Sequence, residues 1–250
     1  MLDQSFDVAM RKLRSFVPPA GWDGDIFLLP QDHMRDIYNL ILQYQPTSCL
    51  ELGTGFGATS CVIAAALERN GHGQLVTVDR VLHDPVNVNV LLNHVRGNID
   101  RVETIVDELG YNWWLAEVLA QQTDTRTGQV NEIFDLCFLD GAHEWETDAL
   151  AFLLAVRLLK PGGWMVLDDL NFSLRSLDWR AEYRDRSDRE LDSFQIKMIF
   201  DLLLSNHKDF GYIGVSADQR MVWARKLRPA LSLFGLTDRI KSTVRKRITR

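Results

Sequence analysis

The chain has 250 residues, a formal net charge of −6 at pH 7, 46% hydrophobic residues and 25% charged residues. This balance is typical of a soluble globular protein and excludes a disordered chain. It contains no uncharged apolar run of about 18 residues, as a membrane-spanning helix requires, and Asp3, Asp7 and Arg11 interrupt the stretch where a signal peptide would be apolar. The three cysteines have no CxxC spacing, so we expect reduced core cysteines in a cytoplasmic protein.

The first part of the chain, residues 1–45, is predicted to be helical, with a break at 21–24. Apolar residues from Gln31 to Gln45 recur at helical spacing. We expect this segment to form an N-terminal helical cap beside the main domain.

After Pro46, short apolar runs alternate with helical segments, a pattern typical of βαβ units around a parallel sheet. Five strands are predicted, at residues 47–53, 74–80, 101–107, 133–141 and 162–169. Two further runs, at 210–217 and 220–226, are separated by two residues and predict an antiparallel hairpin. The expected fold class is α/β, a Rossmann-like, doubly wound, seven-stranded sheet that is mostly parallel, with helices on both faces. We expect this domain to span residues 46–228.

A glycine-rich turn, ELGTGFG at residues 51–57, follows the first predicted strand. Ligands of doubly wound sheets bind at such strand ends. The G-x-G-x-G spacing differs from the G-x-G-x-x-G of dinucleotide-binding enzymes, and a carboxylate at Glu51 suits a cationic ligand better than a pyrophosphate. Asp79 ends the second strand, where an acid can accept hydrogen bonds from ribose hydroxyls. S-adenosylmethionine (SAM) carries an ammonium, a sulfonium and a ribose, and therefore suits this pattern.

The segments LELGTGFGATS, VTVDR and FDLCFLDGAHEWETDALAFLLAVRLLKPGGWMVLDD resemble the class I SAM-dependent methyltransferases. Within these, they resemble the metal-dependent small-molecule and sugar O-methyltransferases of the catechol O-methyltransferase and methyltransferase 24 types. The resemblance implies that Glu51 orients the amino-acid end of SAM, that Asp79 holds its ribose, and that Asp107, or the neighbouring Glu108, reaches its adenine. The implied cofactor-binding set is Glu51, Gly53, Thr54, Gly55, Gly57, Asp79, Asp107 and Asp140.

Three carboxylates, Asp140, Asp168 and Asp169, follow the fourth and fifth predicted strands. Clustered carboxylates repel one another unless a cation neutralises them, and oxygen ligands suit Mg²⁺ or a similar divalent ion. The resemblance implies the same positions for a metal that binds the acceptor hydroxyls. We therefore expect Mg²⁺ or another divalent cation at Asp140, Asp168 and Asp169; the alternative is that Asp168 or Asp169 caps the next segment.

His143 is the candidate catalytic base because imidazole titrates near neutral pH and the residue lies three positions after Asp140. In the catechol relatives a basic side chain occupies the same offset. Some sugar-directed relatives carry an acid where this chain has Ala142, so a simple hydrogen-bonding role in the loop is the alternative.

The expected function is transfer of a methyl group from SAM to a hydroxyl of a small molecule or sugar, assisted by a divalent metal. A metal-independent or nitrogen-directed methyltransferase is the main alternative. A nicotinamide-dependent oxidoreductase and a non-catalytic SAM-binding scaffold are the others. Residues 171–195, which are charged and aromatic, are expected to overhang the site as a substrate lid or as a plain solvated loop.

The C-terminal residues 229–250 have apolar positions every four residues among lysines and arginines. Such a basic amphipathic helix can contact an anionic membrane surface peripherally. Packing on the domain or on a second copy in a homo-oligomer, or simple solvation, are the alternatives. No nucleic-acid partner is expected, because the rest of the chain is acidic.

Overall fold

The structure is a computed structural model that describes residues 5–95, 99–177 and 180–228. In these ranges, none of the helices combines the length and the apolar character that crossing a bilayer requires. The predicted amphipathic tail, residues 229–250, lies outside the described residues.

Seven strands form one sheet in the order β3-β2-β1-β4-β5-β7-β6. The strands are β1 Ser48–Leu52, β2 Gln74–Asp79, β3 Val102–Val106, β4 Phe134–Leu139, β5 Leu159–Leu167, β6 Phe210–Val215 and β7 Val222–Lys226. The first five are parallel, whereas β7 is antiparallel to both β5 and β6. The predicted fold class, including the C-terminal hairpin, is confirmed. Because β1 and β4 are neighbours, the chain winds outward in both directions from this pair, which is where such sheets bind ligands.

Helices cover both faces of the sheet. They are α1 Ser5–Arg14, α2 Gln31–Tyr44, α3 Ala58–Asn70, α4 Val88–Val95, α5 Tyr111–Gln122, α6 Trp145–Leu158, α7 Asp188–Asp192 and α8 Gln195–Ile199. Strand residues alternate between the faces: Cys49 joins the core beneath α1 to α4, while Leu50 and Leu52 join the core beneath α5, α6 and α8. This two-sided burial explains why the strands are apolar nearly throughout.

The N-terminal helices share one hydrophobic core with the sheet. Phe6 and Met10 of α1 and Ile37 of α2 are almost fully buried in the cluster that contains α3. The non-helical segment between α1 and α2 runs from residue 15 to 30 and is longer than the predicted break at 21–24. Pro18, Pro19 and Pro30 explain the difference, because proline disfavours helix at its own position and before it.

The β6–β7 hairpin is placed by pairing with β5. In this register Leu167 lies opposite Val222, and Trp164 lies opposite Arg225. The start of β7 is therefore beside the carboxyl end of β5, and its end is beside the opposite edge of the sheet.

The described residues of the 171–195 segment, 171–177 and 180–195, contain a small hydrophobic core of their own. Leu174, Tyr183 and Leu191 bury one another in a separate cluster. Arg175 pairs with Asp188 and Asp192 across it. Phe172 packs on His143 and Gln195 accepts the N–H of Trp145, so both ends of the segment lie beside the loop after β4. Its function as a lid remains a prediction.

Candidate active site

The glycine turn between β1 and α3 packs directly on the loop after β4. Gly53 has φ +94°, a conformation that side-chain-bearing residues rarely adopt. A Cβ at Gly53 would overlap the backbone carbonyl of Asp140, and a Cβ at Gly57 (φ +95°) would overlap Val88. The turn and the Asp140 loop are thus in contact, and only glycine allows this approach at residue 53.

Asp79 joins the end of β2 to this turn. One carboxylate oxygen accepts hydrogen bonds from the backbone N–H groups of Thr54 and Gly55, both at 2.9 Å. The other accepts from the Arg80 N–H at 2.6 Å. Asp79 therefore stabilises the turn itself, and its contact with a ribose remains a prediction.

Glu51 lies beneath the turn and is only 1% exposed. Its Oε2 accepts hydrogen bonds from the hydroxyls of Ser60 in α3 and Thr77 in β2. Burial raises the pKa of Glu51 to about 8; these two hydrogen bonds oppose the shift, and the charges of Asp140 and Asp79 add to it. The carboxyl group is thus fixed in the interior, and its predicted contact with the amino-acid end of SAM remains a prediction.

Asp107 follows β3 and lies beside Asp79, whose carbonyl accepts the Asp107 N–H at 3.0 Å. Its carboxylate accepts the N–H of Leu109 at 2.9 Å and so closes its own turn. Glu108 is exposed. Both acids are at the same sheet edge as the glycine turn. Contact of Asp107, or of Glu108 instead, with adenine remains a prediction.

Asp140, His143 and Asp169 form a cluster at this edge, with one ligand atom from each residue within 4.8 Å of the others. Nε2 of His143 lies 2.7 Å from Oδ2 of Asp169 and 3.4 Å from Oδ1 of Asp140. Although buried, this nitrogen has no partner at hydrogen-bonding geometry among the described residues. Phe172 packs its ring against the imidazole at 4.9 Å.

Two members of the cluster have unusual backbone conformations: φ is +61° at His143 and +62° at Asp169. Non-glycine residues in this region cost of order 1–3 kcal/mol and are found most often at functional sites. The fold therefore holds both side chains in place against local preference, as expected for a site that binds or reacts.

The charges around His143 control its protonation. Burial lowers the pKa of His143, but the carboxylates of Asp140 and Asp169 outweigh burial and raise it well above 6.5. The two neighbouring carboxylates thus favour the protonated imidazole.

The carboxylate of the third predicted metal ligand, Asp168, is bound by Arg220. Its carboxylate accepts hydrogen bonds from Nε and Nη2 of Arg220, at 2.9 and 2.7 Å. Arg220 also approaches Asp169 at 2.8 Å. Burial, followed by the charge of Asp140, raises the pKa of Asp168 to about 7, while Arg220 opposes the rise. The structure thus places His143, rather than Asp168, with Asp140 and Asp169.

Several residues that shape the site have no local sequence signal. Arg220 reaches the acids across the hairpin, 52 residues along the chain from Asp168. Tyr111 donates to Asp148 and accepts the Ala142 N–H at 3.0 Å, which fixes the loop before His143. Only the pairing of β7 with β5 could have indicated from the sequence that Arg220 lies beside Asp168 and Asp169.

The donor set of the cluster fits a divalent cation. The carboxylate oxygens of Asp140 and Asp169 converge beside Nε2 of His143, a buried nitrogen without a partner at hydrogen-bonding geometry among the described residues. The carboxylate oxygens favour Mg²⁺ or Mn²⁺. The glycine turn with the acids Asp79 and Asp107 at its rim likewise fits SAM.

Comparison with known protein families also indicates a methyltransferase domain. A family model described as a methyltransferase domain matches residues 50–170. No curated protein matches the chain significantly in sequence.

Solved structures share the fold. The O-methyltransferase TomG from Streptomyces achromogenes, in complex with SAM, is 20% identical, with 91% of this chain and 92% of TomG covered and a TM-score of 0.53. An O-methyltransferase from Bacillus cereus, in complex with S-adenosylhomocysteine (SAH), is 16% identical, with 90% and 92% covered and a TM-score of 0.53. MycE, from the mycinamycin biosynthetic pathway in complex with Mg and SAH, is 15% identical, with 92% of this chain and 56% of MycE covered and a TM-score of 0.55.

At these identities the solved structures show the fold, while the family model identifies the domain built on it. The resemblance read from the glycine turn and the strand ends is thereby confirmed. Residues 50–170 match a methyltransferase-domain family, and the resemblance to the class I SAM-dependent methyltransferases rests on this segment.

Proposed function

We propose that this methyltransferase acts on a hydroxyl oxygen of a small molecule or sugar, with a divalent cation held by Asp140 and Asp169. One observation carries the proposal: the backbone of Asp140 packs against Gly53 of the glycine turn. A methyl donor bound at the turn would therefore lie beside the Asp140, His143 and Asp169 cluster. This proximity is what an in-line transfer between donor and acceptor requires.

The cation, when bound, lowers the pKa of an acceptor hydroxyl and fixes its orientation. Asp140 and Asp169 supply its carboxylate ligands. A bound cation would offset the carboxylate charges that raise the pKa of His143. His143 is positioned beside the two carboxylates to take the hydroxyl proton at Nε2.

A cavity of about 320 Å³ supports a small acceptor. It lies between α1, the segment before α2 and the hairpin, and its lining includes Met10, Phe27, Leu28 and Arg220. Because Arg220 also contacts Asp168 and Asp169, one wall of the cavity adjoins the acid cluster. A mainly apolar molecule that presents a hydroxyl group toward Asp169 would fit this arrangement.

The experiment is a screen of hydroxylated acceptors, both catechols and sugars, with purified full-length protein, SAM and Mg²⁺ or Mn²⁺. SAH formation is the readout, and SAH binding by calorimetry is measured in parallel. Turnover that EDTA abolishes and metal restores supports the proposal. SAH binding with turnover only on amine acceptors would contradict the hydroxyl assignment.

Metal-independent transfer is the second candidate, and Arg220 favours it. The guanidinium already neutralises part of the charge of Asp168 and Asp169, so the acids do not depend entirely on an added ion. Full turnover in the presence of EDTA would select this candidate. In that case His143 would need another means of losing its proton.

We also propose that residues 229–250 bring the protein to anionic membranes. The support is their sequence pattern alone, in which apolar positions recur among basic residues. Sedimentation with phosphatidylserine liposomes, with and without the tail, tests this. Equal sedimentation of the two forms would contradict it.

A further inference from the structure

A second cavity lies at the amino-terminal edge of the sheet, opposite the edge that carries the glycine turn and the acids. Its volume is about 160 Å³, and it lies between the end of α2 and the starts of β1, β4 and β5. Leu40, Ile41 and Pro161 contribute apolar wall. The proposed methyl transfer makes no use of this cavity.

Arg225, near the end of β7, lies in the wall of the cavity, and only part of its guanidinium is hydrogen-bonded. Its Nε donates to the carbonyl of Gly162 at 3.1 Å. The guanidinium carbon lies 4.9 Å from the ring centre of Tyr44 and 5.6 Å from that of Trp164. Within the described part of the chain, its terminal nitrogens have neither a hydrogen-bond acceptor nor a carboxylate partner. The side chain is thus fixed by two rings and a carbonyl while its fork of N–H donors is left free.

The side chains that line this cavity include more unpaired cations than unpaired anions. Arg228, which is exposed, also lines it and has no ion pair with any described residue. The acid of the lining, Asp135, is already engaged: it accepts hydrogen bonds from the backbone N–H and hydroxyl of Thr47 and pairs with Lys160. Two guanidinium groups therefore remain unneutralised in a protein whose net charge is −6.

Trp164 adds a further unpaired donor. The residue is 7% exposed, and its indole Nε1–H is buried with no hydrogen-bond acceptor in the ranges that the structure describes. Buried indole N–H groups usually have an acceptor. Among the residues that line the cavity, Arg225, Arg228 and Trp164 thus have unpaired donors, whereas the carboxylate of Asp135 is already engaged.

We propose that this cavity binds a small organic anion whose carboxylate or phosphate group is held by Arg225 and Arg228. Guanidinium groups bind both oxyanions through paired N–H donors. An apolar cavity of about 150 Å³ accommodates benzene, so the body of the ligand is about the size of one six-membered ring and packs on Leu40, Ile41 and Pro161. The site is separate from the methyl-transfer site and does not depend on the proposed acceptor or metal.

The test uses the full-length protein labelled with ¹⁵N, in which the indole signal of Trp164 is assigned from its loss in Trp164→Phe. Benzoate and phenyl phosphate are the anionic probes, and benzamide is the neutral probe of similar shape. At least one anion is expected to shift the Trp164 signal saturably. Arg225→Gln and Arg228→Gln are each expected to weaken that binding about tenfold or more.

Arg11→Gln is the matched control, because it removes the same charge from an exposed position of α1 and should leave binding unchanged. Arg228 is exposed, so its variant tests the site even if Arg225→Gln destabilises β7. The proposal is overturned if neither anion shifts the signal at millimolar concentration, if benzamide binds as tightly as the anions, or if both arginine variants bind like the wild type. SAH affinity, measured on the same samples, should not change.

Discussion

Nε2 of His143 and Oδ2 of Asp169, residues that follow the neighbouring strands β4 and β5, lie 2.7 Å apart. Each has a positive φ, so each backbone is bent to bring the two side chains together. The pair is the part of the molecule in which geometry, charge and backbone strain all indicate chemistry.

Replacement of His143 by alanine tests its role as base. Turnover is expected to fall by ~10²–10⁴, because a positioned general base contributes about that much. SAH affinity should stay near that of the wild type, since the imidazole lies outside the glycine turn. Steady-state kinetics on an acceptor from the screen, with calorimetry on SAH, measure both. Unchanged turnover would exclude His143 as the base.

Replacement of Asp169 by asparagine tests the proposed metal site. Mn²⁺ affinity, measured by calorimetry, should fall at least about tenfold, because one of two carboxylate ligands is lost. Asp168→Asn should have a smaller effect, because that carboxylate is bound by Arg220. Asp185→Asn, at an exposed position, is the control for net charge. A larger loss in Asp168→Asn than in Asp169→Asn would contradict the assignment.

Alanine at Gly53 tests the close packing of the glycine turn on the Asp140 loop. The added Cβ meets backbone that cannot rotate away, so a loss of about 3 to 5 kcal/mol in the free energy of unfolding is expected, together with loss of SAH binding. Gly71→Ala is the matched control: φ is +78° and no atom lies within 4 Å of the added Cβ. It should cost only about 1–2 kcal/mol. Denaturant unfolding of both variants makes the comparison.

The pH dependence of stability tests the buried carboxyl group of Glu51. Its pKa in the folded protein is raised to about 8 from 4.5, so the folded state binds more protons than the unfolded state between these values. The free energy of unfolding should therefore fall as pH rises from about 4.5 to about 8, by at most ~1.4 kcal/mol per pH unit from this group.

Glu51→Gln removes the titrating group and should flatten this slope, whereas Glu103→Gln, at an exposed position of β3, should not. Urea unfolding at several pH values from 5 to 8 gives the slopes. Parallel slopes for the wild type and Glu51→Gln would show that Glu51 titrates normally.

Replacement of Arg220 by glutamine tests the support of the acid cluster by the hairpin. Asp168 is almost fully buried, so loss of its guanidinium partner should lower the free energy of unfolding by about 3 to 5 kcal/mol. The double variant Arg220→Gln/Asp168→Asn should recover part of this loss, because it leaves no unpaired buried charge. Thermal and denaturant unfolding provide the measurement, and additive effects in the double variant would contradict a direct partnership.

The fold was predictable because its signals are local. Each strand from 47–53 to 162–169 is a short apolar run, and the hairpin has its own turn, so periodicity alone placed all seven strands. The Asp140 and Asp169 pairing was also predictable, because parallel strands bring their carboxyl ends to one edge.

The partners of these residues were not predictable in the same way. Asp168 and Asp169 are adjacent in sequence, and nothing local indicates that both contact Arg220 but that Asp169 also contacts His143. That choice depends on backbone conformation at Asp169, where φ is +62°, and on the register Leu167 to Val222. Long-range register and single dihedral angles carry little sequence signal.

Because β7 is antiparallel to β5, this one short strand positions an arginine at each of the two opposite edges of the sheet. Arg220 precedes it at the acidic rim, and Arg225 lies in it at the far edge, opposite Trp164. A slip of the hairpin by two residues would keep the inward and outward alternation but carry each guanidinium ~6.6 Å along the sheet. Both arginines would then lose their partners at once. A single register shift of the β6–β7 hairpin should therefore impair the acid cluster and the distant Arg225 cavity together.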